Sequence, residues 1–157
     1  VVSQLDEDGA NRVWLPKALG AWHLHEALGY DGYEDEIDWL LLFSSAAALI
    51  GNPGQGAYAA ANGFLDGLAT ARRAQGLAAT SVSWGAWAEH GRGAVMAERG
   101  FAMIEPDEGI AACDRLLRYA RTRTGYLPIT DASWLDAVGE RARTSTFFAP
   151  PGGAVGR

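Results

Sequence analysis

Four side chains between Ser44 and Asn62 could together move a proton. Ser44 and Ser45 close a short apolar run, Leu40–Phe43, and Tyr58 and Asn62 follow, four apart, in a stretch of small residues. Positions four apart share one face of a helix, so the phenol and the amide would stand a turn from each other. A hydroxyl at a strand end facing a helical phenol suits proton donation to a carbonyl oxygen, one group holding the oxygen and the other protonating it. An unperturbed phenol has a pKa of about 10, and a nearby ammonium would lower it by favouring the phenolate. Each residue also has a plainer use. A serine pair after a strand commonly caps a helix or makes a turn, and a lone tyrosine usually packs as an aromatic with its hydroxyl bonded.

The elements that must position these groups can be read from pattern. Leu40–Phe43 is too short and too apolar for a helix, and Ile37–Ser44 is predicted as a buried parallel strand whose end would gather ligands. Ala46–Gly56 is predicted as a loop turning at Asn52-Pro53-Gly54, and Gln55 or Ala57 to Gln75 as a long helix closed by Gly76. Upstream, Asn11–Leu28 has helical spacing with Pro16 early, and the acidic stretch Gly29–Glu36 reads as a surface loop. Downstream, Thr80–Trp84 reads as a second buried strand ending in Gly85, with a short helical piece near Ala94–Arg99. A helix starts at Pro106, with Asp107 and Glu108 in its first turn, and runs to about Tyr119. Tyr126–Thr130 is predicted as a final strand, Trp134–Val138 as a short helix and Ala149–Arg157 as a linker.

Strands alternating with helices predict an α/β fold with a doubly wound parallel sheet. About three strands are expected, where such sheets average about five or six. A Rossmann-type sheet normally opens with G-x-G-x-x-G, and none occurs here; the Gly51–Gly56 stretch follows the wrong strand and contains proline. A family resemblance carried by the motifs around Ser45 implies the C-terminal part of such a sheet, over residues 1–148, with the N-terminal dinucleotide-binding strands outside this sequence.

Composition narrows the function further. A net charge of −6 over 157 residues argues against a nucleic-acid binder, and no apolar stretch has the length of a membrane span. The arginines of Ala71–Arg73 and Arg115–Arg123 read as solvated helix faces, with a basic patch for an acidic carrier protein as the alternative. The single Cys113 excludes an internal disulfide and a cysteine zinc site, and reads as a small core side chain. His23 and His25 are two apart and point to different helix faces, so no metal site is expected.

The segment Leu40–Asp66, with LPKALGAWHLHEAL upstream and TSVSWGAW downstream, resembles the ketoreductase domains of modular polyketide synthases, a branch of the short-chain dehydrogenase/reductases. Ser45, Tyr58 thirteen residues later and Asn62 four after that stand at the family's catalytic spacings. The resemblance implies that Lys17, in the PKALGAWHLHE block, is the lysine that tunes Tyr58, and that Asn62 positions Lys17 or a relay water. It implies that Ser44, Trp84 and Gly85 lie on the nicotinamide side and that Glu89–Met103 forms a substrate lid. It makes Gly29–Glu36 an insertion of a few residues.

The activity it implies is NADPH-dependent reduction of a β-ketoacyl thioester to the β-hydroxyacyl form in the cytoplasm. The substrate would hang from an acyl carrier protein by a phosphopantetheine arm, with a carrier domain beyond the linker. The family's type with a Trp eight residues before the tyrosine is disfavoured, because that position is Ile50. Two other readings are an inactive fragment or scaffold of a synthase, with unpaired strand edges, and a stand-alone short-chain dehydrogenase. The Lys/Asn arrangement disfavours the latter.

Overall fold

The first helical stretch begins at Asp6, whose carboxylate caps it by accepting from Gly9 N at 2.7 Å. Helix α1 (Glu7–Trp14) carries Glu7 and Asp8 in its first turn and Arg12 in its last, charges that match the helix dipole. It does not stop at Pro16. The chain passes through a single wide turn, Leu15–Leu19, in which Gly20 N donates to Leu15 O five residues back, and continues as α2 (Gly20–Leu28). Pro16 has no N–H and its ring crowds the carbonyl four residues earlier, so the ladder widens there instead of breaking. The helix thus starts four residues before the expected Asn11, and its proline lies mid-helix. The computed structural model describes residues 5–29, 37–88, 97 and 101–128. The acidic loop beyond Gly29, nearly all of the lid segment, the Trp134–Val138 helix and the linker lie outside the described residues.

Strand β1 (Leu41–Ser45) is shorter than expected and includes Ser45. Where a loop was expected, Ala46–Ile50 forms a short helix, α3, because Ser45 Oγ accepts from Ala47 N and caps it; Gly51, at φ 72°, ends it. The turn at Asn52–Gln55 follows as read, with Gln55 N on Asn52 O at 3.1 Å. Helix α4 (Gly56–Ala74) buries Ala61, Leu65, Leu68 and Ala69. Leu65, Leu68 and Ala69 pack with Leu42 and Ala79 into the main apolar cluster. Each buried leucine contributes roughly 1.5–3 kcal/mol. Gly76, at φ 81°, closes the helix as anticipated.

Strands β2 (Thr80–Trp84) and β3 (Arg123–Tyr126) complete a parallel sheet of order β1-β2-β3 among the described residues. The last strand falls three residues earlier than predicted: Pro128 lacks the N–H a ladder needs, and the arginine-bearing segment pairs instead. Leu42 and Ser44 of β1 and Ser81 of β2 face α4, while Phe43 lies on the opposite face, stacked on Trp84 at 5.4 Å between centroids. These elements belong to one compact unit, Val1–Gly85 with Ile110–Tyr126.

The second unit contains Ala86–Gly109. In it, Ala88 N and Ile104 O bond at 2.9 Å, and Ile104 N and Ala86 O at 2.8 Å, so a bridge fastens Trp87 beside Ile104. Helix α5 (Pro106–Tyr119) starts here and its remainder belongs to the first unit. The Trp87 ring lies directly against Gly109, where any side chain would collide with it.

Candidate active site

The candidate residues come from three separate pieces of chain that lie close to the C-terminal end of β1. Ser44 and Ser45 are the last residues of that strand, Tyr58 and Asn62 occupy the first turns of α4, and Lys17 sits in the widened turn between α1 and α2. The widened turn carries Lys17 so that Nζ donates to Phe43 O at 2.7 Å, one residue before the serine pair. The same ammonium lies 5.6 Å from the centroid of the Tyr58 ring. A cation held over a phenol face is attracted by the ring quadrupole. Burial pushes the Lys17 ammonium below the usual lysine range, so it gives up its proton more readily than a solvated lysine.

Asn62 is fully buried. Its Nδ2 donates to Tyr58 O at 2.7 Å, which ties it to the turn that presents the phenol. Its Oδ1 is buried with no hydrogen-bond partner among the described residues. Such an acceptor is costly to leave unpaired, and a donor delivered to this spot, an ammonium or a water, would satisfy it.

The two serines divide their work. Ser44 is buried and its hydroxyl donates to Asn62 O at 3.2 Å, fixing α4 to β1. Ser45 is half-buried and its Oγ accepts from Ala47 N at 3.2 Å. Accepting there leaves the Ser45 hydroxyl proton to donate to an incoming oxygen. The cap role therefore leaves the Ser45 hydroxyl proton available.

Trp84 is buried, stacked on Phe43 and tilted against Tyr126 at 5.5 Å. Gly85 N donates to Tyr126 O at 2.8 Å. Ser44, Trp84 and Gly85 thus serve the sheet's own architecture at the strand ends.

Buried polar contacts tie the elements around the site together. Asp66, 4 % exposed, accepts from Ser81 Oγ at 2.7 Å and from Arg123 Nη2 at 3.4 Å, joining α4 to β2 and β3. Its signal was present: Tyr58, Asn62 and Asp66 continue one stripe at four-residue steps. Arg72 corrects the reading of Ala71–Arg73 as a solvated face, since it is buried and bonded to Ala78 O and His25. His23 is exposed and His25 partly buried, on different faces as spacing required. No metal-ligating cluster occurs among the described residues, and no helix among them is long and apolar enough to cross a membrane. Cys113 is partly buried, and burial raises its thiol.

A parallel α/β sheet with serine, tyrosine, lysine and asparagine gathered at one strand end defines a protein of the Rossmann-like reductase type. Comparison with known proteins takes this further: the KR domain family model matches residues 1–89, and the chain belongs to that family of polyketide synthase ketoreductase domains. It is 54 % identical over 136 residues to a mycocerosic acid synthase-like polyketide synthase of Mycolicibacterium smegmatis, covering 86 % of this chain. It is 46 % identical over 153 residues to the phthioceranic/hydroxyphthioceranic acid synthase of Mycobacterium tuberculosis, covering 91 % of this chain. The chain spans only 6 % and 7 % of the lengths of these two relatives.

Among solved structures, the first ketoreductase of the tylosin polyketide synthase matches with TM-score 0.73 and 34 % identity, over 88 % of this chain and 31 % of that one. A C2-type ketoreductase from a modular polyketide synthase matches with TM-score 0.76 and 32 % identity, over 88 % of this chain and 30 % of that one.

Proposed function

We propose that this chain supplies the proton-transfer side of a ketoreductase that reduces a β-ketoacyl thioester, carried on an acyl carrier protein, to the β-hydroxyacyl form. The observation that carries the reading is the placement of Lys17. Its ammonium is bonded to the end of the strand bearing Ser45 and lies over the ring of Tyr58. In this reading Tyr58 donates its phenolic proton to the ketone oxygen as charge develops there. Ser45 donates a hydrogen bond to the same oxygen and holds the carbonyl in place. Lys17 favours the phenolate left behind by its charge. Asn62 offers its buried Oδ1 to Lys17 or to a water that returns the proton.

The residues present fit the nicotinamide end of a dinucleotide. What supports this is that Ser45 keeps a hydroxyl proton to donate while its Oγ accepts from Ala47 N, and that Lys17 is held on Phe43 O of the same strand, at the strand end expected to face a cofactor. NADPH, when bound, supplies the hydride to the carbonyl carbon. No G-x-G-x-x-G fingerprint occurs in these 157 residues, and the chain alone is expected to bind NADPH poorly. Residues 1–148 are the ketoreductase portion and 149–157 a linker towards a carrier domain, in a cytoplasmic synthase.

The test is Tyr58→Phe in the full-length protein. Oxidation of NADPH with a β-ketoacyl thioester should be abolished, and a variant that keeps full activity would refute the proton-donor role.

A further inference from the structure

Three consecutive residues at the end of β1 each take hold of a different part of the site. Phe43 O accepts from Lys17 Nζ at 2.7 Å, Ser44 Oγ donates to Asn62 O at 3.2 Å, and Ser45 presents its own hydroxyl at the start of α3. Side chains alternate along a strand, so Ser44 points to α4 while Ser45 turns the other way. Of the three, Ser44 is the one to which the proton-transfer chemistry gives no part. It is 4 % exposed, and its hydroxyl is committed inside the protein.

The Ser44 contact reaches the phenol in two steps. Asn62 O accepts from the Ser44 hydroxyl, and Asn62 Nδ2 in turn donates to Tyr58 O at 2.7 Å. Both carbonyls also belong to the backbone ladder of α4, where each receives the N–H four residues on. Each therefore takes two donors, one from the ladder and one from a side chain. Bonds within a helix leave it free to turn against its neighbours. The Ser44 bond comes from another element and opposes that turn. The corresponding bond from β2, Ser81 to Asp66, lies one helical turn further from the phenol.

We propose that Ser44 is a positioning residue for Tyr58: its hydroxyl sets the turn of α4 that carries the phenol against the strand end that carries Ser45. The span between the phenol and the Ser45 hydroxyl is then one strand residue, one buried hydrogen bond and one helical turn. None of these needs a bound ligand, so the two groups are aligned before one arrives. This role differs from the cofactor contact that family resemblance implies for Ser44. A hydroxyl has one proton, and that of Ser44 is already donated to Asn62 O. The kinetic consequences rest on the function proposed above.

The test compares the full-length protein with Ser44→Ala, which deletes the hydroxyl, and Ser44→Thr, which keeps it on a strand-favouring side chain. In Ser44→Ala, Asn62 O retains its helical N–H, so no buried group is orphaned and the fold should survive. If that variant does not fold, Ser44→Cys, a much weaker donor, takes its place in the same measurements. For β-ketoacyl reduction by Ser44→Ala, kcat should fall about tenfold as the phenol loses alignment, with KM for NADPH within about twofold of wild type. Ser44→Thr should recover most of the lost kcat. Hydrogen exchange over residues 56–74 should show about fivefold less protection in the first turns of α4 in Ser44→Ala, the order expected for one neutral hydrogen bond. Ser44→Thr should match wild type.

A KM for NADPH raised about tenfold with kcat unchanged would make Ser44 a cofactor contact and overturn the proposal. So would Ser44→Ala with wild-type protection, Ser44→Ala that loses protection but keeps its kcat, or Ser44→Thr as slow as Ser44→Ala. Protection lost in Ser44→Ala and regained in Ser44→Thr, in a protein whose wild type reduces no ketone, would support the hold on α4 and refute the reductase reading instead.

Discussion

Removing the buried carboxylate of Asp66 should loosen α4 and slow the chemistry at its far end. Asp66 lies two turns beyond Tyr58 on the same stripe and accepts from Ser81 Oγ at 2.7 Å. Ser81 is 1 % exposed, so in Asp66→Ala its hydroxyl is left without a partner and without water. That loss costs about 1–3 kcal/mol. The second contact, Arg123 Nη2 at 3.4 Å, comes from a half-exposed side chain and adds under about 1 kcal/mol. Asp66→Ala should therefore weaken the local stability of α4 by about 3 kcal/mol, and Ser81→Ala by about 2 kcal/mol, since the carboxylate loses its buried donor. Asp66→Asn keeps the volume and an acceptor, and should cost about 1 kcal/mol.

Because the two residues share one bond, the double variant should fall short of the sum by about 1.5 kcal/mol. The assay is hydrogen exchange of α4 amides in the full-length protein, alongside the rate of β-ketoacyl reduction, which should drop about tenfold or more as Tyr58 loses alignment. Effects that add to within about 0.5 kcal/mol would show that the Asp66–Ser81 bond carries no energy, and would refute the reasoning.

The remaining predictions concern Lys17 and Gly109. Lys17→Met should cut the reduction rate by about a hundredfold or more, measured as NADPH oxidation. Burial sets the folded-state value of Lys17 below 10.5, so between the two values the folded protein binds fewer protons than the unfolded chain. Its charge therefore weighs against the fold at neutral pH and the burden lifts as pH rises towards 10.5; denaturant titrations should show wild type gaining stability relative to Lys17→Met over that range, and a relative loss would contradict the sign. Gly109→Ala should cost about 1–3 kcal/mol by overpacking against the Trp87 ring. A smaller residue at position 87 should relieve it, and exchange at residues 86–88 unchanged by Gly109→Ala would show that the ring yields freely.

The parts of this fold legible in sequence are those that local chemistry dictates. Thr80–Trp84 matched residue for residue: Thr80, Val82 and Trp84 are strand-favouring residues at alternate positions and Gly85 follows the run. Gly76 and Pro106 marked helix ends by backbone geometry alone. The misses have long-range causes. Pro16 was read as lying early in a helix from Asn11, whereas the helix starts at Glu7 and absorbs it in a widened turn that delivers Lys17 to Phe43 O, a partner 26 residues away. Arg72 was read as solvated because nothing adjacent in sequence shows that His25, 47 residues earlier, will meet it. At the candidate site, spacing alone put Tyr58 and Asn62 on one helix face. That Lys17 belongs beside them came from family resemblance, and its position over the Tyr58 ring became visible only in three dimensions.

Why so many polar groups are buried under α4 follows from what that helix lacks. Its buried side sets Ala61 and Ala69 beside Leu65 and Leu68. Alanines at two of these positions leave little side chain between α4 and the sheet. They also present shallow knobs, which resist sliding and rotation poorly. Hydrogen bonds are directional where apolar contact is not. Ser44 to Asn62 O, Ser81 to Asp66, and Arg72 to His25 and Ala78 O pin the helix near its start, middle and end. The proton-donor role proposed for Tyr58 would call for placement to within about 0.5 Å, and so for registry more than for added apolar burial. On this view the buried polar stripe is the device by which α4 holds Tyr58 in line with Ser45 and Lys17. It is also why substitutions two to four turns from the phenol should be read out in the reaction rate.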